Sequence, residues 1–176
     1  NRYALIFEDD PFFIVKDFKA EVAKIIKEAN ALPPGFIISI ENTSLEDWDK
    51  MMNINLRTVF YMMNKCVPHL IESKGNIVNV SSVTGVRAFP NVLAYCVSKA
   101  ADMQLARNYA VEYGQHNVRV NCIAPGLIRT DFAKALWENP EAEERFNTSH
   151  PMRRMGEAED LAGAAVFLGS RAGAYV

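Results

Sequence analysis

Apolar residues along this chain gather in short continuous runs, with longer stretches of helical spacing between them. Tyr3-Ala4-Leu5-Ile6-Phe7 is a short apolar run that reads as a strand. Phe18, Val22, Ile25 and Ile26 then recur on one helical face, with Asp17 as a candidate cap and Pro33-Pro34-Gly35 as the stop. Phe36-Ile37-Ile38-Ser39-Ile40 predicts a second strand. Thr43-Ser44-Leu45-Glu46 matches a capping box and opens a long helix carrying Trp48, Met51, Met52, Leu56, Val59, Phe60, Met63 and Val67. Ile77, Val78 and Val80 predict a buried strand, and Val118, Val120, Cys122 and Ile123 another, closed by Pro125-Gly126. Between those two lies a helical run with Ala100, Ala101, Met103, Leu105, Ala106, Tyr109 and Ala110. A last helix opens around Pro151 to Leu161 and runs through Ala164, Val166, Phe167 and Leu168. Strands alternating with helices predict an α/β fold, a doubly wound parallel sheet with helices on both faces, here reduced at both ends. One domain over residues 1–176 is expected, with 1–42 an atypical βαβ segment.

Composition narrows the possibilities. The 176 residues carry 19 basic and 21 acidic side chains, a net charge of −2, which makes no electrostatic case for nucleic acid. No apolar run reaches membrane-spanning length, and the N-terminus lacks a signal-peptide pattern. Cys66, Cys96 and Cys122 form no Cys-x-x-Cys, which favours reduced thiols and a cytoplasmic location. His69, His116 and His150 have no ligand-like spacing, so no metal site is expected.

The candidate chemistry centres on Tyr95-Cys96-Val97-Ser98-Lys99. One helical turn separates Tyr95 from Lys99, so both side chains leave the same face. An ammonium beside a phenol favours phenolate and lowers a tyrosine pKa that starts near ~10, so the phenol can exchange a proton with a substrate hydroxyl or carbonyl. Upstream, Ser81 and Ser82 end the Ile77–Val80 strand; serine is ordinary in turns, so Ser81 reads as structural. The order strand, loop, helix, strand, loop is a βαβ unit, and such sheets bind ligands outside the carboxyl ends of their strands. Ser82 and the Pro125-Gly126 turn fall at that edge.

Asn53-Ile54-Asn55-Leu56, the Ser82 strand end, Tyr95-x-x-x-Lys99, and Arg119-Val120-Asn121-Cys122-Ile123-Ala124-Pro125-Gly126-Leu127-Ile128-Arg129-Thr130 together resemble the short-chain dehydrogenase/reductase family, classical type, from about Ser44 to Val176. The resemblance implies a Rossmann-like fold, with 43–176 as its catalytic half. It implies an NAD(P)-dependent oxidoreductase that interconverts an alcohol and a ketone by hydride transfer. It implies Tyr95 as the catalytic acid/base, Lys99 as the residue that tunes Tyr95 and holds the nicotinamide ribose, and Ser82 as the hydroxyl on the substrate oxygen. Asn55 matches the asparagine whose backbone carbonyl holds a relay water. Thr130 matches the threonine on the nicotinamide carboxamide, with Pro125, Gly126 and Ile128 lining that pocket; Thr130 is also a candidate cap for Asp131-Phe132-Ala133. The family pairs the helices around Met63 and Tyr95 across a two-fold axis, which implies a homodimer or homotetramer. Leu127 to Met155, with Trp137, Phe146 and Met152, matches its mobile substrate cover, and Phe89-Pro90-Asn91-Val92 the facing wall.

The N-terminal part departs from that pattern. Gly35 is the sole glycine before Gly75, so no glycine-rich turn exists there to cradle a pyrophosphate. The Asn-Asn-Ala-Gly element is absent as well, with Gly35-Phe36-Ile37-Ile38-Ser39-Ile40-Glu41-Asn42 in its place. Glu8-Asp9-Asp10 reads as a solvated acidic loop; a receiver-like acidic pocket with Lys65 or Lys74 is the remote alternative. A trimmed, recombined or incompletely observed version of a longer fold is expected. The alternative function is a non-catalytic or cofactor-deficient relative acting as an assembly or binding module.

Overall fold

A computed structural model describes residues 4–7, 38–130 and 133–176. Three parallel strands form one sheet in the order β1 (Ala4–Phe7), β2 (Asn76–Val80), β3 (Arg119–Ile123). The register sets Leu5 against Ile77 and Ile77 against Val120. α1 (Leu45–Met52) leads through a π turn (Asn53–Arg57) into α2 (Thr58–Ser73). α3 (Leu93–Tyr113) crosses from β2 to β3. α4 (Lys134–Trp137), α5 (Pro140–Ser149) and α6 (Glu159–Gly169) follow.

Strand periodicity decides which face meets which helix. Ile77 is fully buried in one cluster with Met63, Cys66, Val67 and Leu70 of α2 and Ala106 and Tyr109 of α3. Asn76, on the opposite face, donates its amide to Gly169 O at the end of α6, 3.1 Å away. The sheet is therefore covered on both sides, as a doubly wound fold requires. Each large side chain buried this way contributes about 1.5–3 kcal/mol.

Two boundaries differ from the sequence reading. The run 36–40 is not a strand through Ile40: Ile38 makes only an isolated parallel bridge with Val92, and a 3-10 turn begins at Ile40. Ser39 causes this locally, because its Oγ accepts from Asn42 Nδ2 at 2.8 Å and its carbonyl accepts from Asn42 N and Thr43 Oγ1. The Thr43 hydroxyl is thereby taken, and the capping box moves one residue on, to Ser44 and Asp47. Residues 151–158 are turns rather than the start of α6. The proposed helix from Phe18 and the Glu8-Asp9-Asp10 loop lie outside the described residues.

Candidate active site

The C-terminal ends of β2 and β3 form one rim. Ser81 N donates to Ile123 O, and Val83 N to Pro125 O, both at 2.8 Å, so the Ser82 loop and the Pro125 turn are bonded to each other. Ser82 caps the short turn Val83–Gly85 by accepting from Thr84 N at 3.2 Å, which keeps the serine extended and buried at the strand end. That turn packs on α3 so closely that a Cβ at Gly85 would lie 2.7 Å from Lys99 O. Lys99 Nζ in turn donates to Val80 O at 3.3 Å. It stands 5.8 Å from the centre of the half-buried Tyr95 ring. The end of β2 thus carries the serine loop and the Lys99 amine, with the Tyr95 ring 5.8 Å from that amine.

Asn55 reaches this cluster from the π turn. Its Nδ2 donates to Ser98 Oγ at 3.0 Å, and Ser98 Oγ donates to Tyr95 O at 2.8 Å. The five-residue turn re-aims the helix where it passes α3; such turns recur at functional sites. Pro125, Gly126, Ile128 and Thr130 follow one another along the loop after β3. Ile128 bridges to Gly156, and Thr130 Oγ1 accepts from Ala133 N at 3.4 Å, so Thr130 caps the turn that precedes α4. An open hollow of about 410 Å³ lined by Pro140, Glu143, Glu144, Asn147, Thr148 and Arg153 lies further out and includes none of these site residues.

Behind the rim lies a polar seam that the sequence reading missed. Asp102 is fully buried on α3. Its Oδ1 is 2.5 Å from Ser81 Oγ and its Oδ2 3.5 Å from Lys99 Nζ. Burial raises the Asp102 pKa, while Lys99, Ser81 and Asn79 pull it back down. Asn79 lies beside it, donating to Cys122 Sγ at 3.2 Å, and burial also raises the Cys122 thiol. Ser81 is therefore part of the site's support rather than an ordinary turn serine. Asp102 carried a readable signal: it is an acid three residues after Lys99, on the face that also carries Ala106 and Tyr109.

A phenol and an ammonium at the carboxyl edge of a parallel sheet, with a serine at the strand end, can hold an oxygen and move its proton. The fold and this rim define an α/β protein of Rossmann-like type. A family model described as enoyl-(acyl carrier protein) reductase matches residues 16–176. The protein called dehydrogenase/reductase SDR family member 4 from Bos taurus is 38% identical over 149 residues, covering 84% of this chain and 53% of the bovine one. Levodione reductase superposes with a TM-score of 0.76 at 36% identity, over 81% of this chain and 58% of that one. A gluconate 5-dehydrogenase from Burkholderia cenocepacia, in complex with NADP and tartrate, gives 0.78 at 26% identity, over 84% and 58%. The chain belongs to the short-chain dehydrogenase/reductase family. It spans about half the length of the curated relatives it matches.

Proposed function

We propose that this chain carries the catalytic half of an NAD(P)-dependent oxidoreductase that interconverts an alcohol and a ketone. The observation that carries the reading is Lys99 Nζ, anchored on Val80 O beside the Tyr95 ring at the rim where the Ser82 loop ends. Tyr95 gives its phenolic proton to the substrate oxygen in reduction and takes it back in oxidation. Ser82 Oγ hydrogen-bonds the same oxygen and orients it. Lys99 supplies the positive charge that favours an anionic phenol, and its ammonium hydrogens serve ribose hydroxyls. Asn55 joins the proton path from the π turn. When bound, a nicotinamide nucleotide would supply the hydride in reduction and accept it in oxidation. Its nicotinamide riboside end suits Lys99, Pro125, Gly126, Ile128 and Thr130: the donor set is complementary to hydroxyls and a carboxamide. Related proteins crystallised with NADP and with NADH support the same choice. Exposed Phe60 and Val97 on α2 and α3 support a homodimer or homotetramer.

The lack of any glycine but Gly35 before Gly75 favours a second reading, a cofactor-deficient relative that acts as a binding module. Fluorescence titration of the chain with NADH and with NADPH separates the two. Binding below millimolar, with turnover of a ketone panel that falls by about 10²–10⁴ in Tyr95→Phe while binding persists, is the expected result. No binding of either nucleotide at millimolar concentration rejects the oxidoreductase reading in favour of the module.

A further inference from the structure

Asp102 is the one carboxylate within reach of the Lys99 ammonium among the described contacts, and it has no exposed surface. A buried acid on an apolar helix face is costly unless something compensates it. Three groups do so here, Lys99, Ser81 and Asn79. Lys99 Nζ lies 3.5 Å from Oδ2. Ser81 Oγ lies 2.5 Å from Oδ1, and also 3.0 Å from Lys99 O.

The proton inventory of Ser81 is decisive. A hydroxyl has one hydrogen to donate and can also accept. With Asp102 ionised, Ser81 donates to the carboxylate. With Asp102 protonated, the acid donates to Ser81, and Ser81 donates to Lys99 O. The serine thus satisfies Asp102 in either charge state by rotating one bond.

We propose that Asp102, seated on Ser81, is a positioning residue for the catalytic pair: it holds Lys99 at the rim, and its charge sets how strongly the ammonium acts on the Tyr95 phenol. The proposal deepens the oxidoreductase reading above and rests on it for the role of Tyr95. An ion pair presents less net positive charge to a neighbour than a lone ammonium does. Ionised Asp102 therefore moderates the field of Lys99 at Tyr95. The other groups facing Asp102 are Asn79 and Ser81 from β2 and its end, and Cys122 from β3; Arg107 on α3 acts weakly on Cys122. The Cys122 thiol is pushed up by burial.

The test reads Tyr95 directly and needs no turnover. The tyrosinate absorbance near the red edge of the protein band is followed against pH in the full chain, and the same curve for Tyr95→Phe is subtracted to isolate Tyr95. In Asp102→Asn, which keeps shape and removes charge, the Tyr95 curve is expected to move to lower pH. Ser81→Ala, which weakens the carboxylate by deleting its donor, should move it the same way and less. A Tyr95 curve that is unmoved or moves to higher pH in folded Asp102→Asn overturns the proposal; where Asp102→Asn does not fold, the same result in Ser81→Ala overturns it. Failure of the oxidoreductase reading shows separately, as absent NAD(P)H binding with the titration shift intact.

Discussion

The unit formed by α2, β2, α3 and β3 and the segment from Arg129 to Met155 that follows it are held together by different forces. In the first, Met63, Ile77 and Val78 are wholly buried and Val118 nearly so. The second has few such anchors; Ala133 and Met155 are its buried apolar residues among those described. Exposed charges hold it instead. Arg129 pairs with Glu143 at 2.7 Å and Glu157 at 3.4 Å, and lies 5.4 Å over Trp137. Lys134 pairs with Glu138 on α4. An exposed ion pair contributes about 0–1 kcal/mol, against about 1.5–3 kcal/mol for one buried aliphatic side chain. The rim that carries Tyr95 and Lys99 is thus backed by a buried apolar core, whereas the segment that follows rests mainly on exposed contacts.

The largest effect should come from the buried half. Met63→Ala leaves a cavity between α2, α3 and β2, in a buried apolar cluster, and should cost about 2–5 kcal/mol in urea unfolding. A loss under about 1 kcal/mol would mean that this cluster is not the main source of stability, and the contrast between the halves would fail.

Gly85 sharpens the comparison at the point where the rim is assembled. A Cβ there meets Lys99 O at 2.7 Å and Met103 Sδ at 2.8 Å, and the carbonyl belongs to helix backbone that cannot yield. Gly85→Ala should cost about 1–3 kcal/mol and lift the Ser82 loop from α3. Gly163, on α6, has nothing within 4 Å of a Cβ, so Gly163→Ala should instead stabilise by about 0.5–1 kcal/mol. Equal behaviour of the two variants in thermal melts would remove close packing as the reason for Gly85.

How much of this was readable follows the same physics. β2, α3 and β3 were legible because burial on both sheet faces leaves an apolar run, and a crossing helix leaves its own period. Tyr95 and Lys99 were legible because a helix turn is a fixed ruler, and Ser82 because it ends a strand. The π turn at Asn53–Arg57 was not, since its side chains are those of an ordinary helix and only tertiary contact with α3 selects the extra residue. The capping box was misplaced by one residue because Thr43 spends its hydroxyl on Ser39 O, a contact that spacing cannot reveal. Ser81 was read as structural because its partner, Asp102, is distant in sequence and meets it only when α3 lies across the end of β2.

The smallest effect belongs to the exposed start of α6, just past that segment. Asp160 accepts from Arg154 Nη1 at 2.6 Å and Nη2 at 3.0 Å, and from Glu157 N at 2.8 Å. These hydrogen bonds, Arg154 first, hold its carboxyl down at about 2. A folded-state value below the unfolded one, near ~3.9, means that the unfolded chain binds the proton more tightly. The contribution is therefore fully present above that unfolded value and is lost as pH falls through the folded one. Asp160→Asn should lower the melting temperature slightly at pH 6. The gap to the native chain should narrow as pH drops from about 4 toward 2, and added salt should narrow it at any pH. A gap that widens on acidification would show that Asp160 serves α6 as a neutral acceptor, and that charge does not fasten this edge. Unlike the Met63 cluster, whose loss salt cannot repair, this contact should yield to both pH and ionic strength.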